Sequence, residues 1–564
     1  MRRALVLAAC VASVLAVPAT AWAHAALLRT VPVASEIVNT PPHSVALVYS
    51  EAVEPRFAVV SVTDVDGRRQ TTGPPRRSAA NPDELDVPLR KLRQGWYLVF
   101  WRAISVDGHP VRGAFTFAVG PNAGPAPAFA IPSLSETAAT PTLVAARWAT
   151  FLGMMASVGL LVLRLIVVRP LGSPQRALSI AFWAALTLAL VAVPVYVLLA
   201  TAQFALRDAW SVGALVPLMR TSAFGRGYLD LELLLALFAV AAAVALWLDR
   251  PQRAKRSVAE LFALGGALLA AGAVLLAPGA AGHAAQTSPR TLALALDWLH
   301  LVAGSLWLGG LIGLVVLIGS LPAARRLPGL ALCVPRFSNL AFVSVVVLLG
   351  SGVWASVLHL PTLASLWQTS YGQAIIVKGS LLAAAMALAS VNLLRTRPAL
   401  RSVEPPPRAA TLLRRLVGGE AILVVAAVCV AAVLSSLAPP SKALAAIGSA
   451  RGKVGPGPVT KVVEEGGYRL ALSVTPNRAA VPNVFDLRIT RNGTPVRGAR
   501  VTATVSMLDM EMPQQSYELA ESSPGVYRRT SPALVMVGHW GLSFEIVPQG
   551  AAPFTVLLVD RASG

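Results

Sequence analysis

Eight long apolar segments dominate the middle of this 564-residue chain. Each is long enough to cross the hydrocarbon core of a bilayer as a helix, which takes about 20 residues. Only 13% of the residues are charged, whereas soluble domains carry about 25%, so a single soluble domain is excluded. We predict a polytopic α-helical membrane domain over residues 142–438. Its spans are expected near residues 143–168, 177–204, 228–248, 258–278, 292–320, 335–359, 372–394 and 412–438.

The formal net charge of +21 reports on membrane topology. Alternate loops, at 169–176, 249–257, 321–336 and 395–415, carry 15 Lys and Arg residues, and the loops between them carry four. Cytoplasmic loops are enriched in basic residues, whereas nucleic-acid-binding proteins gather them on a polar surface. We therefore expect a multi-pass protein in the lipid bilayer of a cytoplasmic membrane, no nucleic acid partner, and both terminal regions on the extracytoplasmic side.

The chain begins like an exported protein. Arg2 and Arg3 precede an apolar run over residues 4–17, and Ala21-Trp22-Ala23 follows, which is the pattern of a cleaved signal peptide. The alternative is an uncleaved anchor, but the apolar run is shorter than a spanning helix requires. We predict a signal peptide over residues 1–23 and a mature chain that starts at His24.

Both regions that flank the membrane domain are expected to be all-β sandwiches. Residues 24–120 and 461–564 contain short β-branched and aromatic runs separated by turn residues, which is typical of strands. Asn492-Gly493 is a strong hairpin signal. Linkers rich in Pro, Ala and Gly are expected at 121–141 and 439–460. The predicted fold class is mixed: a β-sandwich, an eight-helix membrane domain and a second β-sandwich.

Metal ligands outside the membrane cannot be thiolates, because the cysteines at positions 10, 333 and 429 lie in the leader and in apolar segments. The α-amino group and Nδ1 of a mature N-terminal His24 together suit Cu(II); the alternative is a chance histidine. Asp107 and His109 would share one face of an extended strand. This pair is a weak signal alone and a stronger one beside an N-terminal histidine. His43, among prolines, is expected to be a solvated surface residue.

Three histidines belong to the membrane region. With the expected topology, His283 lies in an outer loop, His300 about two turns into the fifth span, and His359 at the outer end of the sixth. Ionisable groups inside a membrane are costly and usually functional, and neutral imidazole is the commonest metal ligand. We therefore interpret the three histidines as candidate ligands of a copper pathway through the membrane, with Cu(I) as a candidate ion. Three other ionisable residues of the spans are interpreted as partners of these ligands, as proton carriers or as members of interior ion pairs, namely Glu232, Lys378 and Glu420.

The C-terminal domain has methionines close to its one histidine. Thioether and imidazole ligands suit Cu(I); the alternative is that the methionines fill the core. The candidate Cu(I) ligands are Met507, Met510, Met512, Met536 and His539.

Two stretches of the first β region, HAALLRTVPVASEIVNTPPHSVALVYSEAVE and GWYLVFWRAISVDGHPVRGAFTFAVG, resemble the CopC family of periplasmic copper-binding proteins in bacterial copper resistance. The resemblance covers essentially all of residues 24–120. It implies a Cu(II) site made by the amino group and imidazole of His24, by His109, and by Asp107 as a weaker ligand. Some members of the family also have a methionine-rich Cu(I) site, but residues 24–120 contain no methionine, so we expect Cu(II) alone here.

The membrane region is similar to the CopD family. The similarity rests on LDWLHLVAGSLWLGGL at 296–311, SGVWASVLHL at 351–360 and SYGQAIIVKGSLLAAAMALASVNLLR at 370–395. The methionine-containing C-terminal segment resembles the small YtkA-like β domains found beside copper proteins. The whole chain is therefore identified as a CopC and CopD fusion with an added C-terminal domain.

These patterns predict a copper-handling protein and not an enzyme. The first domain would capture Cu(II) outside, and the membrane domain would pass copper inward with help from an extracytoplasmic copper chaperone or reductase. The sequence has no P-loop and no phosphorylation loop of a pump, which argues against ATP-driven transport.

Two alternatives remain open. An N-terminal histidine with a second histidine also builds the histidine brace of copper oxidases and monooxygenases, although Asp107 would fill a position that oxygen needs. Turnover with ascorbate and oxygen would support that enzyme. His300 and His359 could instead ligate a haem for electron transfer, which a Soret band would reveal.

Overall fold

The protein is described by a computed structural model that confirms the predicted three-part architecture. The structure describes residues 27–121, 140–205, 223–281, 289–399, 407–437, 454–508 and 514–563, with the gaps 35, 50–52, 54, 56–57, 105–109, 174, 361, 397, 480 and 536–537. The predicted signal peptide lies outside these ranges.

The N-terminal domain consists of two four-stranded sheets, in the orders β1-β3-β6-β5 and β2-β8-β7-β4. Its strands are β1 (Leu27–Val31), β2 (Ile37–Val38), β3 (Ser44–Tyr49), β4 (Val59–Asp64), β5 (Arg76–Arg77), β6 (Glu84–Pro88), β7 (Gly95–Ile104) and β8 (Pro110–Val119). Side chains alternate between the faces of a strand, and the inward set of β3 and β7 forms one apolar core. The β-branched and aromatic runs at 45–49, 57–63, 96–101 and 114–119 predicted β3, β4, β7 and β8, whereas β1, β2, β5 and β6 carry no such run and were missed.

The opposite face of the β7–β8 pair is buried as well. Trp96, Leu98, Ala114 and Ala118 form a second small apolar cluster there. The backbone N–H of Ala114 donates to the carbonyl of Val535 in the C-terminal domain at 3.3 Å. The two β domains therefore touch each other through the backbone of β8.

Within the described part of the chain, eight helices are long and apolar enough to cross a membrane. They are α1 (Pro141–Val162), α2 (Arg176–Ala205), α3 (Ala223–Leu248), α4 (Val258–Ala281), α5 (Arg290–Ser320), α6 (Ala323–His359), α7 (Ser370–Val391) and α8 (Pro407–Leu434). Single π-helical turns, Leu163–Val167 and Asn392–Thr396, extend α1 and α7. Because successive spans alternate in direction, α1, α3, α5 and α7 all start on one face of the bundle. The chain reaches this face from the N-terminal β domain and leaves it for the C-terminal one, and we call it the face that carries the β domains.

Helix α6 is longer than the sequence pattern predicted. It starts at Ala323, twelve residues before the predicted start at 335, and it contains Pro328 and Pro335. Proline and arginine interrupt the apolar run in this stretch, which is why hydropathy alone placed the boundary later.

Helices α1 and α5 cross at two glycines. A Cβ on Gly309 would lie 2.6 Å from the backbone nitrogen of Leu160, and a Cβ on Gly159 would lie 2.8 Å from the Cα of Gly309. Small residues allow membrane helices to approach this closely. The crossing fixes the position of α5, which carries the candidate site described below.

An ion cluster joins the ends of α1, α3 and α4 on the face opposite the β domains. The Asp249 carboxylate, 2% exposed, accepts a hydrogen bond from Arg164 at 3.0 Å. Arg169 lies 3.6 Å and Arg256 lies 4.0 Å from its other oxygen. At the start of α4, the Glu260 carboxylate accepts from the backbone N–H groups of Arg250 and Ser257. Part of the basic excess of these loops is thus buried against acidic partners.

The C-terminal domain is one nine-stranded sheet folded into a sandwich, with the main order β17-β16-β13-β14-β15-β11-β10-β9. Its strands are β9 (Val459–Glu465), β10 (Tyr468–Thr475), β11 (Asn483–Arg491), β12 (Thr494–Pro495), β13 (Arg500–Met507), β14 (Gln515–Ser523), β15 (Val526–Ser531), β16 (Gly538–Val547) and β17 (Phe554–Ala562). Asn492 and Gly493 both have positive φ between the paired residues Arg491 and Thr494, as the predicted two-residue hairpin requires.

Candidate functional site

The predicted Cu(II) ligands His24, Asp107 and His109 lie outside the described residues, but the strands next to them are described. Strands β7 and β8 pair as far as Ile104 opposite Pro110, and Asp107 and His109 belong to the segment between these two. His43 is exposed, in agreement with its interpretation as a surface residue.

The start of β1 and the end of the β7–β8 hairpin lie at the same end of the sandwich. Leu27, three residues after His24, pairs with Tyr49. The Tyr49 ring meets the Trp101 ring edge-on at 5.7 Å, and Trp101 lies three residues before Ile104 in β7. Three extended residues span about 10 Å. The described strands that flank these candidate ligands, β1 on one side and the β7–β8 pair on the other, are therefore close to each other.

The His300 side chain is half-buried on α5 and contacts two other helices. Its Nδ1 lies 2.9 Å from Oγ of Ser351 on α6, and its Nε2 lies 3.4 Å from Nζ of Lys378 on α7. The structure thus brings together two residues that the sequence analysis singled out separately.

The hydrogen bonds around Ser351 assign the His300 tautomer. The Ser351 hydroxyl donates to the carbonyl of Val347 at 2.6 Å, so its oxygen accepts from the His300 Nδ1–H group. The lone pair of the neutral ring is then on Nε2, where it accepts from the Lys378 ammonium. Nε2 is also the nitrogen through which this ring would bind a metal ion.

Asp297 completes the cluster, and the sequence analysis missed it. It lies one helical turn before His300 on α5, so both side chains are on the same helix face, and it interacts electrostatically with Lys378. Its Oδ2 lies against Gly279 of α4, where a Cβ would collide with it. The spacing D-x-x-H within a span was the signal that could have identified it. We call Asp297, His300, Ser351 and Lys378 the His300 cluster.

Glu420 lies deeper in the bundle and is paired with a tryptophan. Its carboxylate on α8, 3% exposed as a residue, accepts from Nε1 of Trp307 on α5 at 2.7 Å. Trp307 is seven residues after His300, which places it on the same face of α5 about 10 Å farther along the axis. Through Trp307, the Glu420 carboxylate of α8 lies next to the same face of α5, farther along the helix axis than His300.

The other predicted membrane residues are not part of this contact set. His359 ends α6, and its ring lies edge-on to Tyr371 at 6.4 Å. It is eight residues beyond Ser351, about 12 Å closer to the face that carries the β domains. Glu232 lies on α3 and has one buried carboxylate oxygen without a hydrogen-bond partner. His283 lies outside the described residues.

Most of the predicted Cu(I) ligands also lie outside the described residues, namely Met510, Met512 and Met536. The Met507 side chain is 2% exposed in the C-terminal core, opposite Trp540. His539 precedes Trp540 in β16 and therefore projects from the other face of the strand. The structure consequently does not bring Met507 and His539 together. Met507 is therefore a core residue, which was the alternative to its interpretation as a Cu(I) ligand.

Asp560 of β17 is a buried carboxyl group in the same domain. Burial raises its pKa, although Asn477 and the backbone of Arg561 donate hydrogen bonds to it. Since the folded pKa lies above the unfolded value, the stability that this group contributes is present below about pH 4 and is lost as the pH rises through the folded pKa.

We expect the β17 amides to be better protected from hydrogen exchange in Asp560→Asn than in the wild-type chain at about pH 7. At about pH 4 we expect the same protection in both chains. The measurement compares the two full-length chains. Loss of protection at neutral pH in the variant would show that the carboxylate charge stabilises the fold.

Family models match three parts of the chain. They are the CopC domain over residues 27–120, Copper resistance protein D over 331–434 and the YtkA-like model over 463–545. The three matches follow one another in the order of the β domain, the membrane domain and the second β domain.

Known proteins are similar over the whole chain or over its first domain. The Copper transport protein CutJ of Bacillus subtilis is 28% identical over 538 residues, which are 93% of each protein. Protein YobA of Escherichia coli is 37% identical over 99 residues, 17% of this chain and 80% of YobA. A crystal structure of CopC from Methylosinus trichosporium OB3b is 32% identical and covers 18% of this chain and 98% of that one, with a TM-score of 0.17.

Proposed function

Because the chain belongs to the copper transport and resistance family in which CopC, CopD and YtkA-like domains follow one another, we propose that it captures Cu(II) outside the cytoplasmic membrane and transfers copper inward. The observation that carries the membrane step is the His300 cluster, in which an imidazole and a carboxylate from α5, a hydroxyl from α6 and an ammonium group from α7 come together inside the bundle.

The capture step is assigned to His24, His109 and Asp107. The meeting of the β1 start and the β7–β8 end at one end of the sandwich supports this set, because Leu27 follows His24 by three residues and Ile104 and Pro110 flank the segment that contains the other two. Nitrogen ligands favour Cu(II), and a carboxylate adds charge compensation. Capture by ligands on a folded domain requires no catalysis, so we assign no enzymatic role to the chain.

The transfer step follows α5. Copper would meet His359 near the face that carries the β domains, then the His300 cluster, and then the Glu420 carboxylate beside Trp307. Each of these groups is on α5 or on a helix in contact with it. A positive charge that moves inward gains about 2.3 kcal/mol per 100 mV of membrane potential, which supplies a driving force without ATP.

The C-terminal domain is proposed to hold Cu(I) through Met510, Met512, Met536 and His539. Support comes from the contact between the β domains: Val535, which accepts from Ala114 of β8, immediately precedes Met536. An extracytoplasmic chaperone or reductase would supply this domain.

The experiment measures cellular copper content under copper limitation in strains that carry the wild-type chain, His24→Ala or His300→Ala. We expect both substitutions to lower accumulation, His300→Ala to the level of a strain without the chain. The control is His43→Ala, which removes an exposed histidine of the same domain as His24 and is expected to have no effect. If neither test variant lowers accumulation, inward transport is wrong and sequestration outside the membrane replaces it.

A further inference from the structure

We propose that Lys378 is a tethered competitor for copper: its ammonium group and a monovalent copper ion bind the same lone pair, on Nε2 of His300, and copper must displace the ammonium to enter the membrane domain. This inference rests on the proposed function, which assigns copper to His300. Beyond the proposed function, it states the charge of the copper ion that binds at His300 and assigns the selection of that ion to Lys378.

The first step of the argument is the identity of the contested atom. Ser351 holds the Nδ1–H group of His300, and the carbonyl of Leu348, on the same helix α6, also interacts with the ring. The ring is thereby turned so that Nε2 faces α7 and Lys378. A metal ion needs an unprotonated nitrogen, so it has to take the position that Lys378 Nζ occupies.

The second step is the charge balance. With Asp297 ionised, Lys378 protonated and His300 neutral, the cluster is neutral as a unit. Uncompensated charge inside a membrane is costly. A Cu(I) ion that replaces the ammonium beside Asp297 leaves this balance unchanged, whereas a divalent ion adds one unit of positive charge. The charge balance therefore favours Cu(I) over Cu(II) or Zn(II).

The third step is where the displaced ammonium goes. Lys378 lies eight residues after the start of α7, which is about 12 Å along the helix axis from the N-terminus of that helix. Side chains lean toward the N-terminus of their helix, which for α7 is the face that carries the β domains. Lysine extends its charged end to the interface in this way. The ammonium can thus withdraw toward Tyr371 while its carbon stem stays in place.

Selectivity follows from the competition. An alkali cation gains little from an imidazole nitrogen and does not displace a hydrogen-bonded ammonium, whereas Cu(I) and Ag(I) are soft ions that bind imidazole. Lys378 would therefore keep abundant cations out of the site.

The test measures the Cu(I) affinity of the full-length chain in lipid nanodiscs by competition with a chromophoric Cu(I) chelator. Only the binding that is lost in His300→Ala is assigned to this site. Lys378→Leu is expected to tighten this binding about ten-fold or more, because a charged hydrogen bond no longer competes. Asp297→Asn is expected to weaken it by a similar factor, and the double variant is expected to lie between the two single variants. Lys378→Arg keeps a cation at the position and is the control, with no tightening expected.

A second measurement, metal competition on the wild-type chain, does not require that Lys378→Leu or Asp297→Asn folds. Ag(I) is expected to displace Cu(I) from the His300-dependent site, and Zn(II) is not. Equal displacement by Zn(II), or Lys378→Leu binding no tighter than wild type, overturns the proposal for Lys378. If His300→Ala leaves both Cu(I) binding and cellular copper unchanged, the membrane step of the proposed function fails as well, which distinguishes the two failures.

Discussion

Replacement of Asp249 by asparagine is expected to lower the thermal unfolding midpoint of the membrane domain by roughly 10 °C. Asp249 and Arg164 are 2% and 5% exposed and 3.0 Å apart, and Arg169 and Arg256 also face this carboxylate. Loss of one partner of a buried pair leaves an uncompensated charge and costs about 3–5 kcal/mol, and each kcal/mol shifts the midpoint by about 2–4 °C in a domain of this size. The measurement is thermal unfolding of the full chain in detergent.

Asp230→Asn is the control for this prediction. It makes the same substitution within α3, the helix that Asp249 directly follows, at a position whose side chain is exposed, so we expect no measurable shift. The double variant Asp249→Asn with Arg164→Leu should recover part of the lost stability, because it removes the buried positive charge together with its partner. If Asp249→Asn has the same thermal unfolding midpoint as Asp230→Asn, the ion cluster around Asp249 does not stabilise the membrane domain.

Substitution of Gly309 by alanine is expected to destabilise the membrane domain and to reduce copper accumulation together. The added Cβ would lie 2.6 Å from the backbone nitrogen of Leu160, far inside the usual contact of about 3.5–4 Å. Backbone cannot give way as a flexible side chain does, so α1 and α5 must separate. Overpacking of this kind costs about 1–3 kcal/mol, and it shifts the helix that carries Asp297 and His300.

Gly265→Ala in α4 is the control for Gly309→Ala, because a Cβ at Gly265 meets no atom within 4 Å. We expect it to leave stability unchanged or to raise it by up to about 1 kcal/mol, since alanine favours a helix over glycine. Thermal unfolding and cellular copper content are measured for both variants. Unchanged values for Gly309→Ala would show that the crossing of α1 and α5 tolerates separation.

Much of the architecture could be predicted from the sequence because its signals are local. Apolar runs of more than about 20 residues predict spans without any knowledge of their neighbours, and all eight were identified. The Asn492-Gly493 hairpin was equally local, since two residues with positive φ suffice to define it. Short strands such as β1 and β2 were missed because five or fewer residues carry too little pattern.

The candidate site was only partly predictable. His300, Lys378 and Glu420 were identified because ionisable residues are rare in apolar segments, but their roles stayed open. His300 and Lys378 are 78 residues apart in the chain, and nothing in either segment indicates that they meet. Asp297 was missed although it lies three residues before His300 in the same span. Met507, considered as a ligand because of its neighbours in sequence, is placed in the core by the register of β13 with β16.

The sequence by itself determined where the chain enters the membrane domain, how many times it spans, and which segments form β domains, because hydrophobic periodicity and turn chemistry act over a few residues. Only the tertiary structure decided which polar groups face one another: His300 with Lys378, Trp307 with Glu420, and Arg164 with Asp249. The physical reason is that a buried charge must find its partner in space. That partner is set by helix crossings such as Gly159 against Gly309, which bring together residues that are distant in the chain.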